Sequence, residues 1–247
     1  MEVSWILGGS LPRPSFFLQT NLKTIAKVLG IALTKRGGEN ATPLAGFPYH
    51  SLDAHLPKLL KAGFKVARCE QVEDPKHAKG IVKRDVVEVV SPGSTFSEKI
   101  LDHKQNNYLA ALHFLKGRFG IAIADISTGE FILAEADCGN LAEIIQLYSP
   151  REILVTKGAK ERIELDLSPK FRGLYSIEEE WFFDYQYAYE LLLSHFKTHS
   201  LKGFGCEDMQ LASSSAGALL KYLKANYKSE LDHISSIEVA NLDQFMV

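Results

Sequence analysis

Hydrophobic and polar positions change rhythm several times along this chain. Between Thr24 and Gly30, the apolar residues Ile25, Ala26, Val28 and Leu29 form a stripe that predicts a short helix closed by Gly30. IALTKR then predicts a short strand, KRGGENATP a Gly-rich loop, and Gly46-Phe47-Pro48 a turn. From Ser51, an N-cap candidate, Leu52, Leu56, Leu59 and Leu60 predict a second helix that stops at Gly63. Pro57 fits that helix only if it falls in about the first turn. FKVARCEQV and RDVVEVVSPG both have strand character and flank a lysine-rich polar connection. Residues 1–20, with Gly8-Gly9 and the Pro12/Pro14 pair, follow neither period and predict no element.

The rest of the chain has a different texture. SPGSTFSEKILDHKQNN reads as a turn and linker. NYLAALHFL, FGIAIADIS and EFILAEAD follow, joined by turns at Lys116-Gly117 and Thr128-Gly129, and predict an antiparallel meander. A helix over NLAEIIQLYS, capped by Asn140, leads to a strand at REILVTK. Helical patterns resume around FDYQYAYELLLSHFKTH and over SSSAGALLKYLKANYKSELDHI, and the chain ends on an apolar run, Asn241 to Val247. Together these predict an α/β (α+β) protein of mixed sheets covered by helices.

Composition narrows the function classes. With 46% hydrophobic and 23% charged residues over 247 positions, the chain fits one large or two modest globular domains. No apolar run reaches the roughly 18 residues of a spanning helix, and the N-terminus lacks a basic n-region. No membrane association is therefore expected. Cys69, Cys138 and Cys206 are far apart and odd in number, which points to reduced thiols and a cytoplasmic location. The net charge of -2 is unevenly spread: residues 1–102 carry 14 basic against 10 acidic side chains, and residues 103–247 carry 14 against 20. A basic first part points towards a polyanion partner there.

Catalytic signatures are absent. Neither GxxxxGK[ST] nor GxSxG occurs, so no cofactor or nucleotide site is expected from motifs. Glu70, Glu73 and Asp74 sit among lysines and read as solvated, and Cys69 reads as a small core residue. Asp125, in DISTGEF, resembles the strand-end acid of ribonuclease H-like sheets. A two-metal site would need further carboxylates, and the neighbouring strands offer only Glu152. What remains is basic: Lys35-Arg36 beside the Gly-rich loop, and Lys76, Lys79, Lys83 and Arg84 in the polar connection. Such side chains reach phosphates, and Tyr49-His50 could lay a ring against a sugar or base.

The strings LGIALTKRGG, PLAGFPYHSLDAHLPKLLKAGFKVARCEQVEDPKHAKGIVKRDVVEVVSPGS, ADISTGEF and FDYQYAYELLLSHFKTHSLKGFG resemble the N-terminal part of the MutS DNA mismatch-repair family. The resemblance implies a mixed-sheet mismatch-recognition domain over residues 1–102, with 1–21 divergent. It further implies a ribonuclease H-like connector domain over 107–225 and the start of a lever domain over 226–247. It implies double-stranded DNA as partner, for which Lys35, Arg36, Tyr49, His50, Lys79, Lys83 and Arg84 are the candidate contacts. Other repair proteins would bind through the connector, and the location would be cytoplasmic, on the nucleoid when DNA-bound. ATP and Mg²⁺ serve the family through a P-loop ATPase domain not found in this sequence, so the chain itself is expected to be no enzyme.

Two departures qualify the resemblance. The family reads mispairs with a Phe-x-Glu motif whose Phe wedges into the base stack. Counted back without gaps, those positions fall on Pro14 and Phe16, and the likeness fades before about Leu22, as a replaced or misread start would give. Glu88 also stands where family members often carry arginine. The expected function is therefore a fragment that binds duplex DNA without catalysis. The alternatives are a protein-interaction module or non-functional truncated product, and a nuclease centred on Asp125.

Overall fold

A computed structural model describes all residues except 1–3, 10–14, 19–21, 37–41, 74–81, 95–105, 168–170, 227–230 and 241–247. The chain divides into two units, residues 1–92 with 97–102 and residues 93–96 with 103–247.

The first unit holds β1 (Ser4–Gly9), β2 (Ser15–Leu18), α1 (Leu22–Leu29), β3 (Leu33–Arg36), β4 (Thr42–Pro48), α2 (Leu52–Lys61), β5 (Val66–Gln71) and β6 (Arg84–Val90). Its six strands lie in the order β3-β4-β2-β1-β5-β6. Every neighbouring pair is antiparallel except β1 with β5. Ile25 and Leu29 of α1, Leu52, Leu59 and Leu60 of α2, and Phe47, Val66 and Val90 of the sheet form one core.

Several expectations change here. Residues 1–20 contain two strands at the centre of the sheet, β1 and β2, which the sequence pattern does not predict. Their order comes from long-range backbone pairing with β4 and β5, which local periodicity does not record. The segment that reads as a loop and turn before Tyr49 is instead β4. Its prolines occupy near-terminal positions, Pro43 and Pro48, where a missing N–H costs least. Pro57 is the sixth residue of α2, beyond the first turn, and cannot donate to the carbonyl of residue 53. Fully buried Leu59 and Leu60 at 4% just beyond it supply the packing that holds the helix there. Ser51 gives no side-chain cap, because a 3-10 turn over Tyr49–Ser51 runs straight into α2. Gly30 and Gly63, with φ of +68° and +83°, end the two helices as expected.

The second unit contains β7 (Tyr108–Leu115), β8 (Arg118–Asp125), β9 (Glu130–Asp137), α3 (Leu141–Tyr148), β10 (Glu152–Thr156), α4 (Lys157–Leu167), β11 (Leu174–Glu178), α5 (Tyr185–Phe196), α6 (Gln210–Asn226) and β12 (Glu238–Val239). The predicted meander forms, with Lys116 and Gly117 both at positive φ between the register partners Leu115 and Arg118. That is the primed turn whose twist suits a two-residue hairpin. Strand order is β11-β10-β7-β8-β9-β12, with β10 parallel to β7 and β11 parallel to β10. One face packs on α5 and α6 through residues such as Leu109, Phe131, Leu192 and Leu219. The other packs Ile121, Ile123 and Ile153 against Ile144 of α3 and Ile163 of α4. Cover on both faces explains why β8 is buried from Phe119 to Asp125 rather than alternating.

Helix α6 packs tightly against the sheet at Gly120, where a Cβ would lie 2.1 Å from the Leu211 carbonyl carbon. Ser215 Oγ donates to the Gly120 carbonyl at 2.8 Å across the same contact. The periodicity reads as helix through Ile234, whereas α6 is described as Gln210–Asn226 and residues 231–234 are not helical. Leu231, Ile234 and Ile237, in the stretch where the resemblance places a lever domain, are buried in the core of this unit. Asn140 makes no capping bond, whereas Asp184 caps α5 by accepting from the Tyr187 N–H at 2.8 Å. Residues 241–247 lie outside the described residues.

Candidate nucleic-acid interface

Strand directions decide which basic residues can act together. Strands β1, β4 and β5 run towards one end of the first sheet, and β2, β3 and β6 run away from it. Three connections therefore meet at that end: β1 to β2, β4 to α2, and β5 to β6. Tyr49 and His50 follow the end of β4, and Lys83 and Arg84 lead into β6, so both pairs belong there. The first strands of the two pairs are four positions apart in the sheet, about 19 Å at about 4.8 Å per strand. That span matches roughly six phosphates along one strand of a duplex.

Lys35 and Arg36 lie elsewhere. Lys35 is register partner of Pro43 on β4, five residues before Pro48, which puts it about 17 Å down the sheet. The seven candidates thus do not form one patch. His50, Lys83, Arg84 and Lys35 are exposed, while Lys79 lies outside the described residues. For Arg36 and Tyr49 only the backbone is described.

The polar connection between β5 and β6 joins an antiparallel pair. Its arms extend one step past the register pair Gln71 and Arg84, with Val72 N–H donating to the Lys83 carbonyl at 3.1 Å. Glu73 closes the arm by accepting from the Lys83 backbone N–H, and so has a structural use rather than being only solvated. Glu70 and Glu88 both engage Arg68, at 3.3 and 3.2 Å, with all three side chains about one-third exposed. Arg68 and Glu88 are direct cross-strand partners. An arginine at 88 would face Arg68, so the reversal at this position goes with a cation on the neighbouring strand. Arg68 does not stand out in the sequence; its only signal there is an arginine two residues from Glu70, on a strand that pairs with Glu88.

The two acids considered for a metal site have different surroundings. Asp125 ends β8, the second strand of the meander, and is fully buried. Its Oδ1 accepts from the Ser127 N–H and hydroxyl at 2.8 and 2.6 Å, and its Oδ2 from the Asn107 N–H at 2.8 Å. Glu152, also fully buried, accepts from the Ser176 and Tyr222 hydroxyls, both at 2.6 Å, and from the Gly93 N–H at 3.2 Å. Register sends them to opposite faces. Asp125 alternates in phase with Ile121 and Ile123 on the α3–α4 side, and Glu152 with Leu154 on the α5–α6 side. They cannot share a metal ion, and no metal-binding group of acids, histidines and cysteines occurs among the described residues.

The two buried thiols are equally quiet. Burial pushes Cys69 up and Cys206 up to about 11, away from the nucleophilic thiolate. Among the described residues no helix is long and apolar enough to cross a membrane.

Fold and site together define a two-unit α/β protein whose first sheet has His50, Lys83 and Arg84 exposed at one end. Comparison with known proteins makes this specific. Residues 16–99 match the family model for MutS domain I, and residues 107–235 match that for MutS domain II. The DNA mismatch repair protein MutS of Cytophaga hutchinsonii is 49% identical over 214 residues, 86% of this chain and 25% of that protein. Its counterpart in Salinibacter ruber is 45% identical over 229 residues, covering 90% and 25%, and that of Flavobacterium johnsoniae 43% over 215 residues, covering 86% and 24%. The chain belongs to the MutS family and spans about a quarter of the length of these curated relatives. Likeness reaches back to residue 16, six residues further than the fading point expected at Leu22.

Proposed function

We propose that this chain binds duplex DNA, as the mismatch-recognition and connector parts of a MutS-type protein, and performs no catalysis itself. The observation that carries this reading is the convergence of Tyr49-His50, Lys83-Arg84 and the start of β2 at one end of the first sheet. By resemblance, the positions that read a mispair flank that start, at Pro14 and Phe16. Lysine and arginine there supply phosphate affinity, and the missing Phe-x-Glu pair removes the wedge and its base contact.

Domain limits near 102 and 226 and a ribonuclease H-like connector are part of the same proposal. A three-strand meander extended by two strands parallel to its first supports the latter. In the family ATP and Mg²⁺ act elsewhere in the protein, so this stretch contributes binding alone. Other mismatch-repair proteins would engage the connector, in the cytoplasm and on the nucleoid.

A mobility-shift titration with matched and G·T duplexes tests the reading. Binding should weaken steeply between about 50 and 200 mM salt, with little preference between the two duplexes. Absence of binding at the lower salt overturns it, and strong mismatch preference overturns the assignment of Pro14 and Phe16.

A further inference from the structure

On the second unit, three aromatic rings surround one ammonium. Lys221 Nζ lies 3.3 Å from the Trp181 ring centroid, 4.3 Å from that of Phe182 and 4.4 Å from that of Tyr187. Trp181 and Phe182 come from a 3-10 turn over Glu180–Phe183, Tyr187 from α5, and Lys221 from α6. An ammonium enclosed this way is held by the negative faces of the rings, a geometry that favours organic cations as a class.

Three features distinguish this cage from a purely structural contact. Trp181 is 57% exposed and Tyr187 42%, so the rings remain open to solvent around their occupant. Three consecutive acids, Glu178, Glu179 and Glu180, lead directly into the turn that carries Trp181. The chain enters the cage from β11, an edge strand that pairs only with β10 among the described residues and exposes Ile177. An edge strand accepts an added strand through its backbone, and the glutamates at its end favour positive charge on that strand. Burial lowers the Lys221 pKa against the opposing pull of Glu178, so the resident ammonium gives up hydration to occupy the cage.

We propose that β11 and this cage form a docking site for an extended basic segment of a partner protein, whose lysine or arginine side chain takes the place of Lys221 between the rings. The proposal does not rest on DNA binding by the first unit. Lys221 acts as a stand-in: it occupies the space between the rings until a cation anchored by strand pairing competes with it.

The test uses the whole chain with Trp5→Phe, which leaves Trp181 as its single indole. Lys221→Met keeps the aliphatic stem and removes the charge, and Lys221→Gln is a second route should the first fail to fold by circular dichroism. In either variant, n-butylammonium should change Trp181 emission saturably, at about tenfold lower concentration than with Lys221 in place. A pentapeptide of alternating lysine and valine should follow the same order and lose binding on Trp181→Ala, while an alternating glutamate and valine peptide should not bind. Equal responses to n-butanol and n-butylammonium would overturn the cation site. Equal responses with and without Lys221 would overturn its role as occupant, and failure of the lysine peptide where n-butylammonium binds would overturn the docking segment.

Discussion

Two sets of strand-end residues, one in each sheet, treat charge in opposite ways. In the first unit, Lys83 and Arg84 gather at a strand end and stay exposed, and further along the strands Arg68 is only partly covered by two acids. In the second unit, the strand-end acids Asp125 and Glu152 are fully buried and accept from neutral donors, hydroxyls and backbone N–H groups. The difference shows what a charged residue at a strand end is for. An exposed charge is available to a ligand, whereas a buried carboxyl whose oxygens are already engaged works as a fastener.

Breaking the fasteners should have the largest effect. Glu152→Ala leaves the Ser176 and Tyr222 hydroxyls and the Gly93 N–H without their acceptor inside a packed core. We expect destabilisation by about 3 kcal/mol, read as a lower urea midpoint at unchanged slope. Asp125→Asn turns one acceptor oxygen into a donor facing the Asn107 or Ser127 N–H, at a cost of about 2 kcal/mol in the same measurement. Because these effects are on stability, no Mg²⁺-dependent cleavage of DNA should be present in the parent chain. Cleavage abolished by Asp125→Asn would erase the contrast between the two units.

At the exposed end the readout moves from stability to binding. Lys83→Ala with Arg84→Ala should weaken duplex binding about tenfold and make the salt slope shallower by about 1 for each phosphate no longer neutralised. Lys35→Ala, at the far end of the sheet, should change much less, and an equal weakening would show that DNA runs along the sheet and not across its end. Glu88→Arg should lower stability by under about 1 kcal/mol, since it sets two guanidinium groups opposite each other at a part-exposed site.

The smallest effect is expected from pH. Burial holds His113 and His195 below the ordinary imidazole value of 6.5 in the folded chain. Their protonation therefore favours the unfolded state. Stability should be full above about pH 6.5 and decline as pH falls below it, which thermal unfolding at several pH values would register. Replacing His113 by Phe should flatten that decline.

How much of this is legible in the sequence depends on whether order comes from local or distant contacts. The meander is legible because Lys116-Gly117 and Thr128-Gly129 punctuate three runs of strand residues. β1 and β2 are not, since SWILGG and SFFL become strands only by pairing with segments far along the chain. β4 is hidden by its own prolines and Gly46, which spell a turn in isolation. β11 and α4 escape notice for a related reason: α4, KGAKERIELDL, carries a weak apolar stripe, and few residues mark it out. For the site, residue types are readable but their grouping is not. Nothing in the string KR at 35–36 says that it lies at the opposite end of the sheet from KR at 83–84; that follows from strand direction.

The cross-strand pair of Arg68 and Glu88 has a consequence for inheritance. A change of sign at one position leaves its neighbour facing a like charge. Among many descendants of a common ancestor, acid at 88 should travel with base at 68, and base at 88 with a neutral or acidic partner. The pair would then mark branches of the lineage, recording a past exchange of charge that no single sequence could reveal.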